Sequence, residues 1–228
     1  MQCLEDTNDE VKSAPRIRTR GSLAVLLVML AACASVPPVG QGANQIATTD
    51  DPAEIHWPQS YQPEDATFFV HNETEVLAPP EVVWDILVQA EAWPTWYEGA
   101  QDVKVRSSRG RLHEAASFTW TTMGLDFTST VEEWHPPTRL SWESRKRSIK
   151  GYHAWLLVPT ETGCRLVTDE AQFGFLAFMQ KIFIPNKLHR LHDVWLAEIK
   201  RKAEAAHARD ATGPGKAGPL AAGQEGTP

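Results

Sequence analysis

The longest helical pattern of the chain lies near its C-terminus, in residues 176–205. In its second half, apolar residues recur every three or four positions and charged residues occupy the other faces, which is typical of an amphipathic helix with one buried side. Proline lacks a backbone donor and clashes with the preceding turn, so Pro185 predicts a break near Ile184. The buried stripe consists of Leu188, Leu191, Trp195 and Ile199.

Upstream of this helix, apolar and polar residues alternate in short runs that are typical of β-strands. One short helix interrupts them: it begins at Pro79 and Pro80, buries Trp84 and is closed by Pro94. In residues 152–157 both faces are apolar, so the pattern does not fix the register there. The predicted strands are residues 67–77, 100–107, 115–122, 125–133, 151–158 and 164–173, with one more around Leu140 and Trp142.

The N-terminal residues have the pattern of a secretion signal. Three arginines between residues 16 and 20 precede the apolar run 23–32, which is too short to span a bilayer. The run ends in Leu30-Ala31-Ala32-Cys33, which resembles the lipobox of bacterial lipoproteins, where the cysteine carries a diacylglyceryl group. We therefore predict a signal peptide at residues 1–32 and a lipid anchor on Cys33. The alternatives are an uncleaved anchor or a buried helix that ends in a stray cysteine.

Composition divides the remaining chain into three parts. Residues 33–65 are rich in proline and glycine and predict a flexible tether, residues 66–207 form the domain, and residues 208–228 predict a disordered tail. The net charge of -7 gives no reason to expect nucleic-acid binding. Once the signal is removed and Cys33 is lipidated, Cys164 has no partner, so no disulfide is expected.

Two segments carry a family resemblance: APPEVVWDILVQAEAWPTWYEG at residues 78–99 and GLDFTSTVEEWHPPTRLSW at residues 124–142. With the order strand, short helix, about six strands and long helix, the chain over residues 68–206 resembles the START-like (SRPBCC) superfamily, and within it the polyketide cyclase/dehydrase and lipid-transport group. The resemblance implies an α+β helix-grip fold (START/Bet v 1-like), in which an antiparallel sheet wraps around the C-terminal helix and leaves a cavity. The lipobox resemblance, with Ala34 after the cysteine, implies the cell envelope, at the periplasmic face of the outer membrane.

The expected cavity is apolar and takes a hydrophobic small molecule or a lipid. A dry void of about 300 Å³ would cost on the order of 7 kcal/mol, so it must be occupied, wet or collapsed. Residues 176–184 are apolar on most sides and predict a movable roof over this cavity. The candidate ligand-binding residues are Trp96, Tyr97, Phe118, Trp120, Phe127, Ser129, Trp142, Tyr152, His153, Met179, Phe183 and Leu188.

The sequence predicts no cofactor, metal ion or catalytic residue. His189 and His192 with Asp193 lack an identified third ligand, so a solvated helix face is the simpler interpretation. Glu132 and Glu133 are adjacent in a strand and cannot share a site. No motif of the resembled cyclases matches residue by residue.

We predict a carrier or sensor, and two alternatives stay open. The first is an enzyme that acts on an apolar substrate, with Tyr152 or His153 as acid or base. The second is an envelope interaction module with a closed aromatic core. Polar groups clustered inside the cavity would favour the enzyme, and a smooth apolar cavity would favour the carrier.

Overall fold

The computed structural model describes residues 53–106 and 109–212. The predicted signal peptide, Cys33, residues 34–52 of the tether and residues 213–228 of the tail lie outside the described residues. Within the described part, no helix is both long enough and apolar enough to cross a membrane.

The described residues contain one antiparallel sheet of seven strands in the order β1-β7-β6-β5-β4-β3-β2. Every neighbouring pair is antiparallel. The first strand, β1, pairs with the last, β7, from Phe68 opposite Gln172 to Val76 opposite Cys164. The strands are β1 Phe68–Val76, β2 Gln101–Val105, β3 Ser117–Thr122, β4 Leu125–His135, β5 Arg139–Lys146, β6 Ile149–Pro159 and β7 Cys164–Phe173. The predicted order of elements along the chain and the α+β helix-grip architecture are confirmed.

Within residues 53–106 and 109–212, three α-helices accompany the sheet: α1 Pro80–Leu87, α2 Phe175–Phe183 and α3 Lys187–Thr212. The predicted break at Pro185 is confirmed, because it falls between α2 and α3. Two boundaries differ from expectation. Pro94 does not close the first helix, which ends at Leu87 and is followed by a 3-10 turn at Ala90–Thr95. The tail expected from residue 208 is helical to Thr212, because α3 continues beyond its buried stripe.

The two faces of the sheet have different partners. Gly151, His153 and Trp155 of β6 face the helices α1 and α3, and we call this the inner face. Tyr152 and Ala154 alternate with them and lie on the opposite, outer face. Pairing of β6 with both β5 and β7 fixes this register, which the apolar pattern of residues 152–157 left open.

Residues 53–65 pack on the outer face, whereas we expected a flexible tether as far as residue 65. The ring of Tyr61 lies 5.4 Å from that of Tyr152, and Tyr61 is fully buried. His56 Nδ1 lies 2.9 Å from Glu133 Oε1, a carboxylate that is itself buried. The apolar outer face therefore gives this segment a surface to cover, and the burial of its aromatic ring favours docking over free movement.

Candidate functional site

An aromatic cage forms the centre of the inner face. Trp195 of α3 stacks on Tyr97 at 4.3 Å between ring centroids. The same indole meets the edges of Trp93 and Trp155, each at 5.0 Å. Trp93 is held in place by a hydrogen bond from Nε1 to the Leu87 carbonyl at 2.9 Å. Edge-to-face and stacked rings at these distances stabilise one another, so the cage is a rigid wall.

Beside this wall lies a cavity enclosed by the inner face, α2 and α3. Its volume is about 20 Å³, which is room for about one water molecule. An empty space of that size costs only about 0.5 kcal/mol at 24 cal/mol per Å³. The expected large apolar void is therefore mostly collapsed around aromatic rings. Of the predicted ligand residues, the cavity is lined by Tyr97, Trp120, Phe127, His153 and Leu188.

Three other predicted residues lie near the cavity without lining it. Phe118 and Trp142 are fully buried within the aromatic core. Ser129 is buried between Trp120, whose Nε1 donates to its hydroxyl at 3.0 Å, and Ser144, whose hydroxyl oxygen lies 2.7 Å away. These residues shape the wall and orient Trp120.

The remaining predicted residues are placed elsewhere. The prediction that Tyr152 lines the cavity is wrong, because Tyr152 lies on the outer face under Tyr61 and has no access to the cavity. Trp96 lines a separate surface groove, where Lys202 Nζ lies 5.4 Å from its ring centre. Met179 is half-buried in α2 and Phe183 is exposed. The proposed acid or base role of Tyr152 in the cavity is therefore excluded by the direction of its side chain.

A cluster of polar groups occupies one side of the cavity. It consists of His153 from β6, Glu170 from β7 and His192 from α3. Glu170 Oε2 lies 3.3 Å from His153 Nδ1 and 3.2 Å from His192 Nε2. Three separate elements thus bring two imidazoles to one carboxylate oxygen.

Neighbouring side chains fix the orientation of this cluster. His153 Nε2 lies 2.7 Å from Thr168 Oγ1. Gln172 Nε2 donates to the second oxygen of Glu170 at 2.6 Å. Among the described residues, His153 Nδ1 and His192 Nδ1 are buried without a hydrogen-bond partner. The cluster is therefore held firmly but is not saturated with hydrogen bonds.

Burial and mutual contact set the charges of the cluster. Burial lowers the pKa of His153 to about 3, because an imidazolium loses its solvation there. Burial raises the pKa of Glu170, but the hydrogen bond from His192, the charges of the two histidines and the Gln172 amide outweigh it and lower the pKa to about 2. At neutral pH, His153 is therefore a neutral imidazole and Glu170 is a carboxylate.

Sequence reasoning missed Glu170 and assigned His192 to a solvated face. A signal for His192 was present, since Leu188, His192 and Trp195 follow the spacing of the buried stripe. Glu170 lies on the same face of β7 as Thr168 and Gln172, but this polar pattern alone suits an exposed face equally well. Only the placement of α3 shows that this face is covered.

Chemically, the cluster offers two functions. A carboxylate that touches two imidazoles beside an apolar cage can accept and return a proton on a bound molecule. Two imidazole nitrogens and one carboxylate oxygen are also a donor set that binds divalent transition metals.

A seven-stranded antiparallel sheet that grips a long C-terminal helix, with a cavity between them, defines the helix-grip fold. A family model described as "Polyketide cyclase / dehydrase and lipid transport" matches residues 68–204. The chain belongs to this family.

Solved structures align with the chain at low sequence identity. Hypothetical protein jhp0584 from Helicobacter pylori aligns with a TM-score of 0.62 and 24% identity, over 68% of this chain and 98% of that one. A norcoclaurine synthase point mutant from Thalictrum flavum aligns with a TM-score of 0.49 and 14% identity, over 60% of this chain and 94% of that one. Among curated proteins, no sequence matches the chain.

Proposed function

We propose that the domain binds an apolar, ring-bearing small molecule with a polar end, in the cavity beneath α2. The observation that carries this proposal is the aromatic cage that ends at His153, Glu170 and His192. Of the cage, Tyr97 and Trp195 line the cavity and, with Trp120 and Phe127, offer aromatic surfaces to a flat ring. The cluster offers hydrogen-bond partners to a hydroxyl or carbonyl group at the end of that ring.

Unpaired polar groups support the same ligand chemistry. Trp195 Nε1, Gln180 Oε1 and Gln172 Oε1 are buried at the cavity without a hydrogen-bond partner among the described residues. Each such group costs roughly 1–3 kcal/mol until a partner reaches it. Because the empty volume itself costs little, these groups and not the void favour occupation. They call for a ligand that both donates and accepts.

Entry of such a ligand requires movement of α2, since the cavity holds about one water. Only Ala177 and Gln180 of this helix are buried, so few contacts hold it down. Gly174 precedes it with a φ of 105°, a backbone conformation that residues other than glycine rarely adopt. Pro185 follows it. A short helix with little burial between two such residues is suited to open and close over the site.

The test uses the chain with Cys33→Ser, purified without detergent. Mass spectrometry of extracted material identifies what co-purifies, and quenching of tryptophan fluorescence by 1-naphthol measures binding to the cage. A Cβ at Gly151 makes only ordinary contacts, the nearest being 3.5 Å from Glu170 Oε1. Gly151→Ala should therefore keep binding, whereas Gly151→Leu should fill the cavity and abolish it. Equal quenching in all three proteins would contradict a ligand at this site.

Catalysis on the bound molecule is the second candidate, and the proximity of Glu170 to both imidazoles favours it. Glu170→Gln keeps the shape of the side chain but removes the base. If the domain is an enzyme, this variant binds the co-purified molecule and leaves it unchanged, whereas the wild type converts it. If the two proteins give the same product profile, Glu170 has no catalytic role.

We propose further that lipid on Cys33 anchors the domain in the cell envelope, at the periplasmic face of the outer membrane. The lipobox-like residues 30–33 support this proposal. Radiolabelled palmitate should enter the wild type and not Cys33→Ser. Equal labelling of both proteins would refute the lipid anchor at Cys33.

A further inference from the structure

We propose that His153, Glu170 and His192 bind one zinc ion at the polar end of the cavity. The three side chains come from β6, β7 and α3, and their donor atoms all lie within 4.8 Å of one another. Two histidines and one carboxylate form a recurrent ligand set of zinc sites that keep a further position open. Zinc binding does not depend on the organic ligand and is tested without it.

Two of the three distances between the donor atoms fit tetrahedral coordination. With zinc–nitrogen and zinc–oxygen bonds of about 2.0–2.2 Å, neighbouring ligands of a tetrahedral ion lie roughly 3.3 Å apart. Glu170 Oε2 lies 3.3 Å from His153 Nδ1 and 3.2 Å from His192 Nε2. The two imidazole nitrogens lie up to 4.8 Å apart, so they must approach each other by about 1.5 Å. His192 Nε2 must also release the proton that it donates to Glu170 before all three donors bind one ion.

The contact with Thr168 permits a tautomer of His153 that leaves a lone pair where an ion would sit. In the tautomer that donates from Nε2 to Thr168 Oγ1, His153 Nδ1 carries a lone pair that faces the Glu170 carboxylate. In this tautomer the two electron-rich atoms repel each other unless a cation lies between them, whereas in the other tautomer Nδ1–H donates to the carboxylate and zinc displaces that proton. Thr168 on His153 and Gln172 on Glu170 are the outer partners that metal ligands commonly have.

The size of the cavity favours zinc over iron. An iron site with the same ligands needs several open positions for water and substrate. A volume of about 20 Å³ accommodates about one water, which suits the single open position of four-coordinate zinc. Because Tyr97 and Trp195 line the same cavity, an ion there would polarise an oxygen at the polar end of a bound ring.

Zinc is titrated into the full, metal-free chain against a chromophoric chelator, and cobalt serves as the spectroscopic probe. We expect one equivalent of zinc and the intense visible absorption of tetrahedral cobalt. Glu170→Gln should lose both, and Thr168→Val should weaken zinc binding roughly 10- to 100-fold by freeing His153. His189→Asn, an exposed histidine on the same helix, is the matched control and should bind as the wild type does.

Zinc should also raise the melting temperature of the wild type and not that of Glu170→Gln. A cooperative melting transition of Glu170→Gln checks that the variant is folded. The proposal is overturned if Glu170→Gln and the wild type bind zinc equally. It is also overturned if cobalt gives only the weak absorption of an octahedral ion, or if no stoichiometric binding occurs. Failure on these terms leaves naphthol binding intact, so it is distinguishable from failure of the proposed function.

An independent observation concerns the exposed surface of α2. Phe175 is 65% exposed and Phe183 is 69% exposed, and Phe178 and Ile182 are exposed between them. The β5–β6 turn, with Lys146 and Arg147 exposed, lines one groove with Phe175. Residues 144–150 and 174–191 contain no acidic residue, in a chain with a net charge of -7.

We infer that this face docks on an anionic lipid bilayer. Large apolar side chains on a short helix suit insertion at the acyl boundary, and neighbouring lysines and arginines suit anionic headgroups. The concentration of positive charge on one face of an acidic protein is the complementarity that identifies the occupant as anionic lipid. Because α2 also roofs the cavity, docking would bring the cavity mouth to the membrane.

The test is co-sedimentation of the full chain, with Cys33→Ser, on phosphatidylcholine vesicles with and without phosphatidylglycerol. Any affinity of the N-terminal apolar run is common to all variants. We expect stronger binding to the anionic vesicles and a roughly 30-fold loss when Lys146→Gln and Arg147→Gln are combined. Phe178→Ser with Phe183→Ser should also weaken binding, whereas Leu77→Ser, exposed elsewhere, should not. Equal binding by all variants, or no preference for the anionic lipid, would refute the inference.

Discussion

The docking of residues 53–65 on the outer face can be tested at Tyr61. Its ring is fully buried and lies 5.4 Å from the ring of Tyr152 and 5.7 Å from that of Phe173. Lys150 Nζ lies 4.5 Å above it. Replacing a fully buried aromatic ring of this size by alanine costs about 3–5 kcal/mol. Loss of the cation contact adds about 0.5–1 kcal/mol.

We therefore expect Tyr61→Ala to lower the free energy of unfolding by about 3.5–6 kcal/mol. For a domain of this size, that lowers the melting temperature by roughly 10 °C. Urea denaturation and thermal melting by circular dichroism measure both quantities. Gln59→Ala, an exposed position in the same segment, is the control and should change neither. If Tyr61→Ala shifts the melting temperature no more than Gln59→Ala does, the segment is a loose tether and its docking is refuted.

Three further predictions follow from single sites. Burial raises the pKa of Glu143, but the hydrogen bond and charge of Arg145, the Tyr61 hydroxyl and the charge of Lys150 together outweigh it and hold the pKa below its usual range. The ionised carboxylate thus stabilises the folded state above the unfolded pKa of about 4.3 and loses this effect as the pH falls further. Glu143→Gln should be less stable than the wild type at neutral pH, with a gap that narrows in acid; a constant gap would argue against the ion pair. Cys164 is buried and burial raises its pKa to about 11, so peptide mapping should find it alkylated by iodoacetamide only after unfolding. Gly174→Ala should destabilise the protein by about 1–3 kcal/mol and speed proteolysis of α2. The reason is that the φ of Gly174 is 105° and a Cβ there would lie 2.7 Å from the Ser148 carbonyl oxygen. An unchanged melting temperature and cleavage rate would show that α2 does not need this conformation.

The periodic elements could be predicted because their patterns are local. The spacing of Leu188, Trp195 and Ile199 defines a helix face whatever covers it. Pro185 ends a helix by the chemistry of its own ring. The strand at Cys164–Phe173 has the predicted bounds, because turn residues on both sides limit it.

The candidate site was less predictable, since each side of it is contributed by a distant part of the chain. His153 was recognised as a lone polar group in a strand that is apolar on both faces. His192 has the spacing of the buried stripe of α3, but its polar side chain favoured a solvated position. Tyr152 was placed in the cavity because the pattern of residues 152–157 gives no register, and hydrogen bonding of β6 with two neighbours turned it outward.

Sequence alone thus determined the elements, their order and the family resemblance, because helix and strand periodicity and proline chemistry act over a few residues. Tertiary structure decided which faces meet. It brought Glu170 to two histidines, turned Tyr152 toward Tyr61 and reduced the expected void to room for about one water. The physical reason is that burial and pairing depend on contacts between residues far apart in the chain, and no local pattern records what will cover a polar side chain.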